Sequence, residues 1–463
     1  MWSPRIHHDA RVKYIGIVEA IEADIKSRKI KPGDRLPAQR FIADALNVDL
    51  TTVTRAINEA ARRGLVETQP GSGCYIAQTS FTHYNSVHLS EGKPIDLSMN
   101  NPPNPPGIRL EQEIAQVLIE LSYASTKPIN HLSYQETVGH PEDREAGQLW
   151  LKNKVGNITS DLVLISSGAH SALFSVLSYL KRKGAKAIAA PDLSYPGLRS
   201  IADYLQLDVF GVLMDNKGII PEHLHDICQH QKIEALYVIP NIDNPTTSTL
   251  TAERRLAIVQ LAEEFNFAII EDDPYAVFVD QNIPSFYSLA SQRVWHIATV
   301  SKCLSPAFRV AYIVAPDLNE ALGLAEVMRT SSLMAPPLMT AVVSKWIYNG
   351  RFAFISNAIK TENEARQQLA SEFFKLNHIT THPASPHLWL QLPNGHRALD
   401  FSEKADRIGV SIVPSTAFVT ERSRVQAVRV SLGVANNHDE LKRGLSLLAD
   451  LYQPGRLKSK SIV

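Results

Sequence analysis

The stretch TVSKCLSPAFRVAYI, residues 299–313, sets one lysine between two apolar runs. Val294–Val300 and Val310–Val314 are short, rich in β-branched residues and uninterrupted, which reads as two buried strands. Between and beside them stand Thr299, Ser301, Lys302 and Arg309: two hydroxyls, an amine and a guanidinium close together in sequence. A lysine after a strand is most often a surface lysine, so its meaning rests on what else the chain brings to strand ends.

Three further segments are built the same way. IIEDDPYA (269–276) ends a predicted strand, Phe267–Glu271, at Asp272, with Tyr275 just beyond. VIPNIDNPTT (238–247) follows a strand at Ala235–Ile239 and carries Asn244-Pro245. LISSGAHSAL (164–173) runs from a strand at Leu162–Ser166 through Ser167-Gly168 into a predicted helix, Ala169–Arg182. With a strand at Ala187–Ala190 and a helix at Ala252–Phe265, the alternation predicts an α/β domain with a mainly parallel sheet and ligands at the strand ends.

Together these residues suit an aldehyde–pyridine–phosphate molecule. A lysine amine forms a Schiff base once its pKa is low enough to leave it neutral. A carboxylate facing a pyridine nitrogen keeps that nitrogen protonated, so the ring draws electrons. Backbone N–H groups at a helix start suit a phosphate, small residues allow close approach, and an arginine adds a paired donor fork.

On these segments, residues from about 95 to 450 resemble the fold-type I pyridoxal 5′-phosphate (PLP) aminotransferases, with large and small subdomains. The resemblance makes Lys302 the internal-aldimine lysine, Asp272 the pyridine-nitrogen partner, and Tyr275 and Asn244 the pair on the phenolate oxygen. It assigns Ser167, Gly168, Ala169, His170, Thr299, Ser301 and Arg309 to the phosphate cup. It makes Tyr195, in PDLSYPG, the aromatic stacked on the ring, and Arg429, in AVRVSLG, the grip on a ligand carboxylate. Tyr134, in LSYQETVGHPEDREA, matches a segment that a neighbouring subunit contributes, which implies a head-to-tail homodimer. Two positions depart from the family pattern: Thr247 stands where a glycine is usual after Asn244-Pro245-Thr246, and Ala311 stands after the phosphate arginine. Taken singly, Arg429 reads as a salt-bridge arginine, Tyr195 as a core aromatic, His170 as a local helix-start residue and Cys303 as a packed thiol.

The chain's 463 residues exceed one ordinary core. Apolar residues at 44% and charged residues at 20% mark a globular protein rather than a disordered one. Nothing approaches a membrane span or a secretory signal, so the cytoplasm is expected. The cysteines (Cys74, Cys228, Cys303) form no CxxC pair, and neither they nor the histidines have metal-site spacing. Net charge is zero, and residues 1–78 hold 12 Lys and Arg against 9 Asp and Glu, a bias too weak to establish nucleic-acid binding.

Patterning at the N-terminus says more. Tyr14, Val18, Ile21 and Ile25 recur at helical spacing over 12–29. Shorter helices are predicted at Ala38–Leu46 and Leu50–Arg63, the latter capped by Asp49 or Thr51. Two strands within Leu65–Ile76 then flank Pro70-Gly71-Ser72-Gly73. Helices followed by a glycine-tipped hairpin make a winged helix-turn-helix (α+β). Residues 33–77 resemble the GntR-type DNA-binding domain, expected here over 9–78, with a linker at 79–93 and the PLP-binding domain at 94–455. By that likeness Arg35 and Arg40 contact double-stranded operator DNA near the first turn. Thr51, Thr52, Thr54 and Arg55 open the recognition helix, and Gly71 and Gly73 let the wing approach closely. Asp49-Leu50 replaces the Ser-Arg frequent in that family, a change that bears on operator sequence.

The order of the two parts resembles the MocR subgroup of GntR regulators. This implies a bacterial transcription factor that holds PLP on Lys302 and senses PLP itself or an amino compound forming an external aldimine. The same residues permit an alternative, a catalytically active aminotransferase with an accessory winged helix, and a winged helix can also serve protein contact alone.

Overall fold

A computed structural model describes residues 5, 13–26, 29–30, 33–62, 65–69, 73–76, 94–123, 131–279, 282–375, 378–393, 395–420 and 424–452. The chain divides into two units, Met1–Ser86 and Val87–Val463. The expected linker at 79–93 and the wing residue Gly71 lie outside the described residues.

In the first unit, helices α1 (Lys13–Lys26), α2 (Gln39–Leu46) and α3 (Leu50–Arg62) precede an antiparallel hairpin of β1 (Val66–Gln69) and β2 (Gly73–Ile76). Ile17, Val18 and Ile21 of α1 meet Val53, Ala56, Ile57 and Ala60 of α3 in one core. That i, i+3, i+4, i+7 spacing on α3 forces Thr51, Arg55 and Asn58 onto its exposed face. The Asp49 carboxylate caps the helix start, accepting from the Thr51 N–H at 2.7 Å. α1 begins and ends inside the predicted 12–29 span.

The second unit is built on a seven-stranded sheet. Its strands are β3 (Val163–Ser166), β4 (Ala187–Pro191), β5 (Asp208–Val212), β6 (Ala235–Val238), β7 (Ala268–Asp272), β8 (Val294–Thr299) and β9 (Ala311–Val314). They lie in the order β3-β9-β8-β7-β6-β4-β5. Helix α4 (Ala169–Arg182) follows β3, and α5 (Ala252–Glu264) precedes β7. Every residue of β3, β4, β6, β8 and β9 is buried, as expected of strands covered on both faces. All neighbours are parallel except β9, which is antiparallel to β8 and β3. The link over residues 300–310 is too short for the crossover that parallel strands need, so the chain turns straight back. It does so through a 3₁₀ turn at Pro306–Phe308 and a left-handed Arg309 (φ 51°). This reversal folds the TVSKCLSPAFR segment over the sheet edge.

A smaller antiparallel sheet holds β10 (Ile379–Thr380), β11 (His387–Gln391), β12 (Val413–Pro414) and β13 (Ala427–Ser431), in the order β10-β11-β13-β12. Leu388, Leu390, Val428 and Val430 pack there with Leu441, Leu445 and Leu448 of a C-terminal helix, His438–Tyr452. The short strand Ile95–Asp96 pairs in parallel with Val410–Ser411, which fixes the chain's entry into the unit against this second core. No helix among the described residues is long and apolar enough to cross a membrane, and no group of metal-ligating side chains occurs among them.

Candidate functional site

β6, β7 and β8 end side by side, and a cavity of about 410 Å³ opens where they end, within the size range of small-molecule sites. Lys302, Asp272, Tyr275, Asn244, Tyr195, Ala169, His170, Thr299, Ser301, Arg309 and Arg429 all line it. Ser167 and Gly168 sit immediately behind Arg309. Tyr134 does not line the cavity and is exposed.

The chain reversal after β8 brings Lys302 into this space. Its amine donates to the backbone oxygen of Asn100. Burial, then the nearby Arg429, lower its pKa to about 8, while Asp272 opposes the shift. A lysine so placed is partly neutral near physiological pH and nucleophilic.

Asp272, the last residue of β7, is pushed up to about 6 by burial, against the hydrogen bond it accepts from Tyr237. Its Oδ2 accepts from the Tyr237 hydroxyl at 2.8 Å, while Oδ1 is buried without a hydrogen-bond partner. Tyr275 is fully buried, and its hydroxyl accepts from the Asn100 amide at 2.8 Å.

At the far end, Gly168 (φ 92°) starts α4. A Cβ there would stand 2.7 Å from Arg309 Nη2, so only glycine lets the guanidinium lie across the helix start. Arg309 donates to the Ser167 carbonyl at 3.1 Å. The Thr299 and Ser301 hydroxyls are 2.9 Å apart, and the Thr299 hydroxyl donates to the Val310 carbonyl. Tyr195 and His170 close this side, hydrogen-bonded at 3.2 Å with their rings edge to face. Partial burial, then Arg309, hold His170 below its ordinary pKa.

Arg429, on β13, faces the cavity from the small sheet. It donates to Asn244 Oδ1 at 2.8 Å and to the Ser98 carbonyl at 2.6 Å, and its charged group lies 5.0 Å from the Phe418 ring. Its Nε is buried without a partner, and burial draws its pKa down to about 10.

These residues fit PLP. The unpartnered Asp272 Oδ1 meets the need of a pyridinium, Lys302 that of an aldehyde, and the Gly168–Arg309 cradle at a helix start that of a phosphate. Sequence reasoning missed Tyr237, which reads in EALYVIP as an ordinary strand aromatic, and Asn100, whose partners lie far along the chain. It also missed His387, buried beside Tyr275 and bonded to the Asp243 carbonyl at 3.3 Å.

On the first unit, Thr51, Arg55 and Arg40 are exposed, and Asn58 joins Arg55 on the outer face of α3. The Thr54 hydroxyl instead donates to Gln39 Oε1 at 2.9 Å, or to the Leu50 carbonyl at 3.0 Å, tying α3 to α2; Thr52 is half-buried. Arg35 is exposed and lies over the Tyr75 ring at 5.9 Å, beside Gly73 (φ 117°).

Comparison with known proteins agrees with both parts. The model of the aminotransferase class I and II family matches residues 92–447, and that of the gntR family of bacterial regulatory proteins matches residues 13–76. An uncharacterized HTH-type transcriptional regulator of Bacillus subtilis, YdeF, is 28% identical over 97% of this chain and 96% of its own length. The HTH-type pyridoxine biosynthesis transcriptional regulator PdxR of Corynebacterium glutamicum is 25% identical over 65% of each chain. Among solved structures, a kynurenine aminotransferase of Pyrococcus horikoshii superposes with a TM-score of 0.70 at 21% identity, over 78% of this chain and 91% of that one, which shows the fold. The chain thus belongs to the aminotransferase class I and II family and carries a gntR-family DNA-binding domain ahead of it, the composition of the MocR-type regulators.

Proposed function

We propose that this chain is a PLP-dependent transcriptional regulator that reads operator DNA with its first unit and senses PLP or an amino compound with its second. The observation that carries the reading is one cavity holding Lys302, Asp272, Arg309 and Arg429 in a chain that begins with a gntR-type domain.

Bound there, PLP supplies an aldehyde that condenses reversibly with amines and a ring that draws electrons from the condensed centre. Lys302 offers the competing amine, its pKa lowered to about 8 by burial and then Arg429. Asp272, through its unpartnered Oδ1, would hold a proton on the pyridine nitrogen. The Gly168–Arg309 cradle would hold the phosphate, and Tyr195, which lines the same cavity, would take the ring. Arg429 takes the ligand carboxylate in place of the Ser98 carbonyl. Exposed Leu132 and Tyr134 support a head-to-tail homodimer in which that segment meets the partner subunit. Arg40, Thr51, Arg55 and Asn58 meet the DNA, the guanidinium and amide reading base edges.

The test is binding of the full-length chain to genomic fragments with PLP present, removed, or supplemented with candidate amines. Sequence-preferring, salt-sensitive binding that shifts about 5-fold or more with PLP or an amine supports the reading. Binding indifferent to both overturns it, and sustained donor-to-acceptor turnover at about 1–10³ s⁻¹ favours the enzyme alternative.

A further inference from the structure

Tyr237 stands on β6 beside β7, in register with Ile270, and its ring runs toward the carboxyl edge of the sheet. It is fully buried and does not line the cavity. Its hydroxyl ends 2.8 Å from Asp272 Oδ2, leaving Oδ1 buried and unpartnered in a residue that lines the cavity. One carboxylate oxygen is therefore held from within the sheet while the other is left for a ligand atom.

We propose that Tyr237 is a positioning residue for the PLP ring: through Asp272 it fixes both the direction and the charge of the oxygen that faces the pyridine nitrogen. The inference rests on the assignment of the cavity to PLP. Without the hydroxyl, the buried carboxylate loses the donor that most opposes its desolvation and takes up a proton more readily. Oδ2 is also left as an unsatisfied buried acceptor, free to swing toward the gap and misalign Oδ1. A neutral or turned carboxyl no longer holds a proton on the ring nitrogen. The other carboxylate in this stretch, Asp273, accepts from Asn241 Nδ2 at 2.8 Å and also has an unpartnered Oδ1, but it does not line the cavity.

The experiment loads the full-length chain with PLP labelled with nitrogen-15 in the ring and follows that nitrogen by NMR across pH. Wild type, Tyr237→Phe and Asp272→Asn are compared. The expected result is a protonated nitrogen through neutral pH in wild type and an unprotonated one in Asp272→Asn. In Tyr237→Phe the proton should move from the nitrogen toward the carboxyl, so the nitrogen-15 shift at neutral pH should move toward the unprotonated value. Replacing Tyr237 by 3-fluorotyrosine keeps the ring and strengthens the donor, so the shift should move the other way; this arm decides the matter if the phenylalanine variant fails to fold. A nitrogen-15 shift unmoved by the folded variants overturns the role of Tyr237. No bound-cofactor signal in wild type, or a proton retained in Asp272→Asn, overturns the underlying site assignment instead.

Discussion

Arg429, on β13 of the small sheet, is joined to Asn244, in the turn that follows β6 of the large one: a guanidinium N–H of Arg429 donates to Asn244 Oδ1 at 2.8 Å. The pair sets Arg429 beside the cavity before any ligand arrives, so its carboxylate grip is preformed rather than assembled. Arg429→Gln is expected to leave PLP binding within about 3-fold of wild type. It should weaken the response to a carboxylated amine about 10- to 100-fold, the loss of a charge-assisted paired contact. Titrating DNA affinity with amines that carry or lack a carboxylate measures this, and an equal loss for both kinds would place Arg429 elsewhere in the function.

Lys302 gives a pH signature. Its amine is lowered to about 8, so in the PLP-free protein it is mostly protonated below that pH and mostly neutral above it. The rate of PLP capture should therefore climb as pH rises through about 8 and then level off. Stopped-flow absorbance follows the capture, and Lys302→Ala should abolish the lysine-dependent band at every pH.

Gly168→Ala should damage the phosphate end. The added methyl would meet Arg309 Nη2 at 2.7 Å, and φ is 92° there. PLP affinity should drop about 10-fold or more, with about 1–3 kcal/mol of stability lost to strain in the free protein. Equilibrium dialysis and denaturant titration separate the two effects.

Asp243 predicts a stability change of defined sign. Burial raises this carboxyl from 3.8 to about 7, although Thr246 opposes the shift. The folded chain therefore holds a proton that the unfolded chain has released, and stability falls as pH rises through that window. Asp243→Asn keeps an acceptor for Thr246 and removes the titration, so at pH 8 it should be more stable than wild type by about 1–3 kcal/mol. Near pH 4 the advantage should vanish. Thermal unfolding at the two values decides it.

In the first unit, Arg55 and Thr54 should separate binding from folding. Arg55 is exposed on α3, so Arg55→Ala should reduce operator affinity by about 1–3 kcal/mol without lowering the unfolding temperature. Thr54→Val removes a hydroxyl placed at Gln39 and Leu50, and should cost about 1 kcal/mol of stability. Melting curves beside fluorescence-anisotropy titrations test both.

The chemistry of the site was legible in sequence because each reactive residue sits at a strand end. Apolar runs locate strand ends well, as with β8 before Lys302 and β7 ending in Asp272. The direction of β9 was not legible, since burial makes a parallel and an antiparallel strand equally apolar; the short link after Thr299 was the available clue. β5 was passed over because DVFGV is only partly buried and carries a glycine. Tyr237 and Asn100 were missed for another reason. They act by contact with residues far along the chain, and no local pattern marks such a contact. Thr54 shows the converse: its place on the recognition helix suggested a DNA contact, while its hydroxyl is placed at Gln39 and Leu50.

The entry segment of the second unit gives this site a consequence beyond its chemistry. Ile95–Asp96 is paired with Val410–Ser411, and the residues just after it offer the Ser98 carbonyl to Arg429 and the Asn100 carbonyl to Lys302. The backbone thus occupies in advance the guanidinium that a ligand carboxylate would claim and the amine that an aldehyde would claim. A ligand that takes either group displaces the backbone of Ser98–Asn100, so occupancy of the cavity is felt in the segment just after Ile95–Asp96.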